Sequence, residues 1–138
     1  MPPLARCRAG RHNGPAVRRI LPLIDLAHGN VRELCAFTDT PDLNSALESL
    51  TRWGVGAVLV HHGAQGAGYF AKGQWVLRPP APIKQSMVAT GTGDVLSVCM
   101  MLLHHRNDIP IAEKLDFANG IVAEFMEGRR PLIPRLDL

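Results

Sequence analysis

A chain of 138 residues with 46% hydrophobic and 20% charged side chains has the balance of an ordinary globular protein, which excludes wholesale disorder. The length suits one compact domain, and no uncharged apolar run approaches the roughly 18 residues of a membrane span. Cys7, Cys35 and Cys99 are too few and too scattered for a disulfide framework or a zinc site, so reduced thiols in a cytoplasmic protein are expected.

The net charge of +3 conceals an asymmetry. Residues 1–24 carry Arg6, Arg8, Arg11, Arg18 and Arg19 and no acid, whereas the rest holds ten Lys/Arg against twelve Asp/Glu. Residues 1–19 therefore read as a basic, poorly ordered arm, and 20–138 as the folded domain. The arm lacks aromatics for stacking on bases and lacks a signal peptide's apolar run. Neither nucleic-acid binding nor a membrane role is expected.

Along the chain, Pro15 opens a short helix over 15–22, and Leu23–Leu26 reads as an apolar strand ending in a His28–Gly29 turn. A helical stretch follows from Asn30 to Ala36. The next helix has Thr40 as its cap, Pro41 at its first position and Gly54 at its end, with Leu43, Ala46, Leu47, Leu50 and Trp53 as its buried stripe. Gly56–Val60 is a continuous apolar run of the kind found in a central parallel strand. A Gly-rich turn over 61–68 leads to two short strands around Tyr69–Ala71 and Gln74–Leu77. Pro79, Pro80 and Pro82 then keep the chain irregular. A helix from Asp94 to about His105 is apolar almost all round, which predicts burial. A last helix runs from Pro110 to near Gly128 on a stripe of Ile111, Leu115, Ala118, Val122 and Phe125. The alternation predicts an α/β sheet protein.

The chemistry gathers at Ala89-Thr90-Gly91-Thr92-Gly93-Asp94, just before the apolar helix. Glycines let the backbone approach a ligand, and a helix start supplies free amides and a positive dipole end. Asp94 adds a carboxylate beside that anion cradle. Phosphoryl transfer needs both: donors for the migrating group and a base for the attacking hydroxyl. The plainer alternative is an Asp that only caps a helix. There is no GxxxxGK[ST] loop, and Leu59 stands where a dinucleotide fingerprint needs its third glycine. Asn30 and Glu33, three apart on one helix face, could hold hydrated magnesium, although such pairs are also common on solvated helices. Gly63-Ala64-Gln65-Gly66 by itself reads as a hairpin connection.

Taken in order, these pieces resemble the ribokinase-like (PfkB) family of sugar and nucleoside kinases. That family carries N-x-x-E, a strand ending in Gly-x-x-Gly, a T-x-G-x-G-D-type signature opening a buried helix, and a later Ala-Asn pair. The matches are Asn30/Glu33, Gly63/Gly66, Thr90 to Asp94 and Ala118-Asn119, covering about residues 20–130. The resemblance implies a three-layer sandwich with a mostly parallel sheet, of which this chain is similar to the C-terminal, nucleotide-binding part. It implies ATP and Mg2+, with a sugar or nucleoside as acceptor. Asp94 would be the base, and the amides of Gly91, Thr92 and Gly93 the anion hole. Asn30 and Glu33 would organise magnesium and the phosphates, Gly63 to Gly66 would pass the nucleotide, and Asn119 would lie near adenine or ribose.

Two departures stand out. Val88-Ala89 occupy the place of an Asp-Thr that helps build a monovalent-cation site, so potassium activation is not expected. His61-His62 replace Thr-Leu or similar residues and read as packing and turn residues, while His104-His105 read as the cap of a helix end. Family members run to about twice this length, so a truncated chain is expected. An isolated chain would then turn over free sugars poorly and pair with a missing N-terminal half or a second copy along an edge strand at Leu23–Leu26. The competing reading is a non-catalytic nucleotide-binding remnant or subunit.

Overall fold

The computed structural model describes residues 15–87 and 90–129; Val88-Ala89 and the arm up to residue 14, with Arg6, Cys7, Arg8 and Arg11, lie outside the described residues. The chain divides into two compact units, Met1–Val60 with Phe70–Trp75, and His61–Tyr69 with Val76–Leu138. A four-stranded sheet contains strands in the order β1-β2-β3-β4, namely Leu26–Asn30, Ala57–His61, Ala67–Ala71 and Gln74–Arg78. Helices separate β1 from β2, the long crossover that parallel neighbours require. Short turns join the other strands, as only antiparallel neighbours allow, so the described sheet is mixed and not mostly parallel. Lys72 and Gly73, both with positive φ, make the two-residue turn between β3 and β4.

In the first unit, helix α1 (Pro15–Ile20) runs into a 3-10 turn at Leu21–Leu23. Pro22 belongs to that turn, and the Ile24 amide closes it on the Leu21 carbonyl at 3.1 Å. The apolar run expected as a strand at 23–26 is thus largely spent on a turn, and β1 starts at Leu26. His28 and Gly29 are strand residues, not a turn, because Asn30 caps the next helix directly. That strand is still the sheet edge among the described residues.

Helix α2 (Val31–Thr38) and helix α3 (Leu43–Arg52) follow. Asp42, not Thr40, caps α3: its carboxylate accepts from the Ser45 amide at 2.9 Å. Thr40 is occupied elsewhere, its hydroxyl 2.7 Å from that of Thr38. Ala46, Leu47 and Leu50 pack with Leu21, Leu34, Val55, Val58 and Val60, with Leu43 and Trp53 against the margin. Gly54 ends the helix at φ +95.

The Asp42 cap predicts a pH effect. Bonds from the Ser45 amide and hydroxyl hold its carboxyl below the ordinary value. Its stabilisation is therefore present above the unfolded carboxylate pKa and lost as pH falls through the lowered one. Asp42→Ala should lower the urea midpoint at neutral pH, and the difference from wild type should close on acidification. A difference indifferent to pH would exclude the ionised cap.

In the second unit, helix α4 (Thr92–Leu103) packs on helix α5 (Ile111–Met126). Leu96, Met100 and Leu103 are buried from α4, and Leu115, Ala118 and Ala123 from α5. The expectation that α4 is buried all round is corrected. Val98, Met101 and Leu102 are 55%, 61% and 54% exposed, because they lie on a face that no described residue covers. His104 caps the end of α4. No helix among the described residues is long and apolar enough to cross a membrane.

Candidate functional site

Asp94 is the third residue of α4, as the glycine spacing predicts. Gly91 is the N-cap at φ 88, ψ 1, a left-handed conformation that suits glycine, and no side chain caps this helix. The first-turn amides therefore have no intrahelical acceptor and no side-chain cap. Asp94 is exposed, and among the described residues no ion pair engages it.

Thr92 and Gly93 line a cavity of about 370 Å³ together with Gly63, Gly66 and Asn119. The second unit thus brings these five predicted residues to one cavity. Gly91 and Asp94 flank Thr92 and Gly93 in sequence but are not among its lining residues. Ile83, Leu96, Val122 and Met126 supply apolar wall.

The two glycines of the Gly-x-x-Gly turn differ in kind. Gly63 begins a 3-10 turn at φ +57, with open space where a Cβ would stand. Gly66 sits at φ +99, and a Cβ there would lie 2.7 Å from Pro79 C, 2.8 Å from Pro80 N and closer still to the Arg78 carbonyl oxygen. The segment it touches is pinned from α5. Asn119, 6% exposed, donates through Nδ2 to the Pro79 carbonyl at 2.9 Å and to that of Arg78 at 3.3 Å. Arg78 adds a two-pronged ion pair to Asp116, which holds the Asp116 carboxyl below its ordinary value.

Asn30 and Glu33 belong to the first unit, where they form a capping box at the start of α2. Asn30 Oδ1 accepts from the Glu33 amide at 2.8 Å, and Glu33 Oε2 from the Asn30 amide at 2.9 Å. No group of three or more His, Cys, Asp or Glu gathers for a metal among the described residues. Magnesium can be held by a single carboxylate and its own waters, and Glu33 Oε1 takes no part in the capping box, so this donor set fits it.

One contact has no counterpart in the sequence motifs. His61, at the end of β2, lines the cavity with its Nε2 3.2 Å from the Ser97 hydroxyl, and that hydroxyl donates to the Gly93 carbonyl at 2.9 Å. His61 is thus a packing residue, as expected, but one packed on the signature turn. No local spacing could signal a pair 36 residues apart.

The model of the pfkB family of carbohydrate kinases matches residues 8–119. No curated protein matches by sequence. Among solved structures, the chain is similar to an Arabidopsis thaliana ribokinase complexed with ribose and ATP, at 23% identity and TM-score 0.70, covering 80% of this chain and 37% of that one. It is similar to an E. coli protein assigned as ribokinase II, in complex with ATP and Mg2+, at 22% identity and TM-score 0.72, covering 84% and 37%. A fructokinase from Vibrio cholerae O395 with fructose, ADP and calcium matches at 22% and TM-score 0.66, covering 80% and 37%. The chain spans less than two-fifths of the length of each. At these identities the likeness is one of fold, whereas the family match rests on sequence over most of the chain. The chain belongs to the pfkB family of carbohydrate kinases.

Proposed function

We propose that this chain is the C-terminal, nucleotide-binding portion of an ATP-dependent phosphotransferase acting on a hydroxyl of a sugar or nucleoside. The observation that carries this reading is the start of α4: an uncapped first turn with Gly91 in the left-handed region, opening on the cavity that Gly63, Gly66 and Asn119 also line. The amides of Gly91, Thr92 and Gly93 donate to the oxygens of the migrating γ-phosphoryl group. Asp94 accepts the proton of the attacking hydroxyl, so that the oxygen gains nucleophilicity as its bond to the γ-phosphorus forms and the bond from that phosphorus to the β–γ bridging oxygen breaks, ADP leaving with that oxygen. The apolar wall of Ile83, Leu96, Val122 and Met126 takes the base, with Asn119 beside it. Glu33, supported by Asn30, is the magnesium ligand; bound magnesium supplies neutralisation of phosphate charge.

Calorimetric titration tests this. Mg-ATP should bind the chain with heat that depends on magnesium, and Glu33→Gln should weaken that dependence. Glutamine keeps an acceptor for the Asn30 amide, so the capping box survives and a folding defect does not mimic the loss. Binding indifferent to magnesium and to this substitution would count against the assignment.

A second reading, a non-catalytic nucleotide-binding remnant or subunit, is favoured by the exposed apolar face of α4 at Val98, Met101 and Leu102. Turnover with a panel of sugars and nucleosides separates the two readings.

A further inference from the structure

We propose that His61 is a positioning residue that braces the first turn of α4 and so fixes the shape of the anion-binding turn; its catalytic consequence, though not its geometry, rests on the function proposed above. The turn needs a brace. Gly91 and Gly93 give it the freedom to accept a ligand, and that same freedom makes it costly to order. No N-cap side chain holds it.

The imidazole supplies the missing restraint in two ways. Its ring occupies the space a side chain at residue 93 would take: a Cβ there would lie 2.6 Å from His61 Cε1 and closer still to Nδ1. Its Nε2 meets Ser97, which is buried. Because the Ser97 hydroxyl spends its one proton on the Gly93 carbonyl, Nε2–H is the donor to Ser97. The series runs imidazole, hydroxyl, carbonyl. A peptide group is planar, so fixing the Gly93 carbonyl also fixes the direction of the Asp94 amide on the other side of that bond. One half-buried side chain on β2 thereby orients the turn from which Asp94 projects, and it restricts residue 93 to glycine for a reason separate from ligand approach.

The test uses the whole chain with His61→Ala, Ser97→Ala, Gly93→Ala and the His61→Ala/Gly93→Ala pair. Calorimetry measures Mg-ATP and adenosine, and hydrogen exchange follows amides of α4 and α5. His61→Ala should weaken Mg-ATP about tenfold, the scale of one lost hydrogen bond with its packing, while adenosine changes less than about twofold. Exchange should quicken in the second turn of α4, whose amides bond to the carbonyls of the braced turn, and not in α5. Gly93→Ala should weaken Mg-ATP strongly beside His61 and far less once His61 is alanine, a non-additivity expected only of residues in contact. Should His61→Ala not fold, Ser97→Ala keeps the ring packing, breaks the relay and is expected to give the same selective loss. Equal losses for Mg-ATP and adenosine, or strictly additive effects of the pair, would overturn the proposal. If the wild-type chain binds no Mg-ATP, the functional reading of the turn fails; the exchange arm then decides the brace, with unchanged α4 exchange in His61→Ala refuting it.

Discussion

Asp94→Asn should lower kcat for phosphorylation of a sugar or nucleoside by about 10²–10⁴-fold, the usual range for removing a general base. Asparagine matches aspartate in shape, so the start of α4 and its amides are kept and only proton acceptance is lost. That is about 3–5 kcal/mol of barrier, charged to one step. Mg-ATP affinity should stay within about threefold, because under the proposed function the nucleotide is held by the turn amides and the cavity wall and not by the base. The comparison requires a preparation with measurable turnover, assayed at saturating acceptor beside a parallel binding titration. A loss below about tenfold, or affinity falling as far as kcat, would remove Asp94 from the role of base.

The largest effect on stability is expected at Gly66. Its φ of +99 and ψ of −136 approach a region held almost only by glycine, and the space beside it is filled by the backbone of Arg78, Pro79 and Pro80. A side chain there costs about 1–3 kcal/mol for the backbone and a similar amount for overpacking. Gly66→Ala should thus lose about 4 kcal/mol, a large part of the ~5–15 kcal/mol that holds a typical domain. The neighbouring tether leaves little room for relief, since Asn119 fixes the Arg78 and Pro79 carbonyls from α5. Gly63→Ala is the control. Its φ of +57 costs about 1–2 kcal/mol, with nothing near the new methyl. Urea unfolding of the two variants should rank them far apart. Equal losses would show that the Gly-x-x-Gly turn tolerates displacement of the 78–80 segment.

Much of the architecture was legible because local patterns and tertiary packing agree. Ala46, Leu47 and Leu50 of the α3 stripe, the apolar run of β2 from Ala57 to Val60, and Leu115 and Ala118 of the α5 stripe are buried as predicted, whereas Ile111, Val122 and Phe125 are only partly covered. The placement of Asp94 on the first turn of α4 followed from two glycines preceding an apolar helix. Failures arose where a side chain had a choice of partner. Thr40 and Asp42 are both good caps, and Thr38 decided between them by engaging Thr40. Apolar character at Leu23 and Ile24 suggested a strand, but Pro22 drew the chain into a turn first. The apolar circumference of α4 implied cover on every side, yet composition says nothing of what lies opposite Val98 and Met101. His61 was invisible as a brace because its partners, Gly93 and Ser97, are distant in sequence and met only through the fold.

The capping box of Asn30 and Glu33 bears on how such a chain would change over generations. Both side chains close the start of α2 whether or not a metal ever arrives, so selection for folding alone suffices to keep them. A descendant that had lost catalysis would retain N-x-x-E, and would retain Gly66 for its backbone contact, while drifting freely at Asp94, an exposed carboxylate that no ion pair engages among the described residues. Because the capping box gives N-x-x-E a structural duty beside the magnesium role proposed for Glu33, an intact Asp94 is the more telling sign of activity.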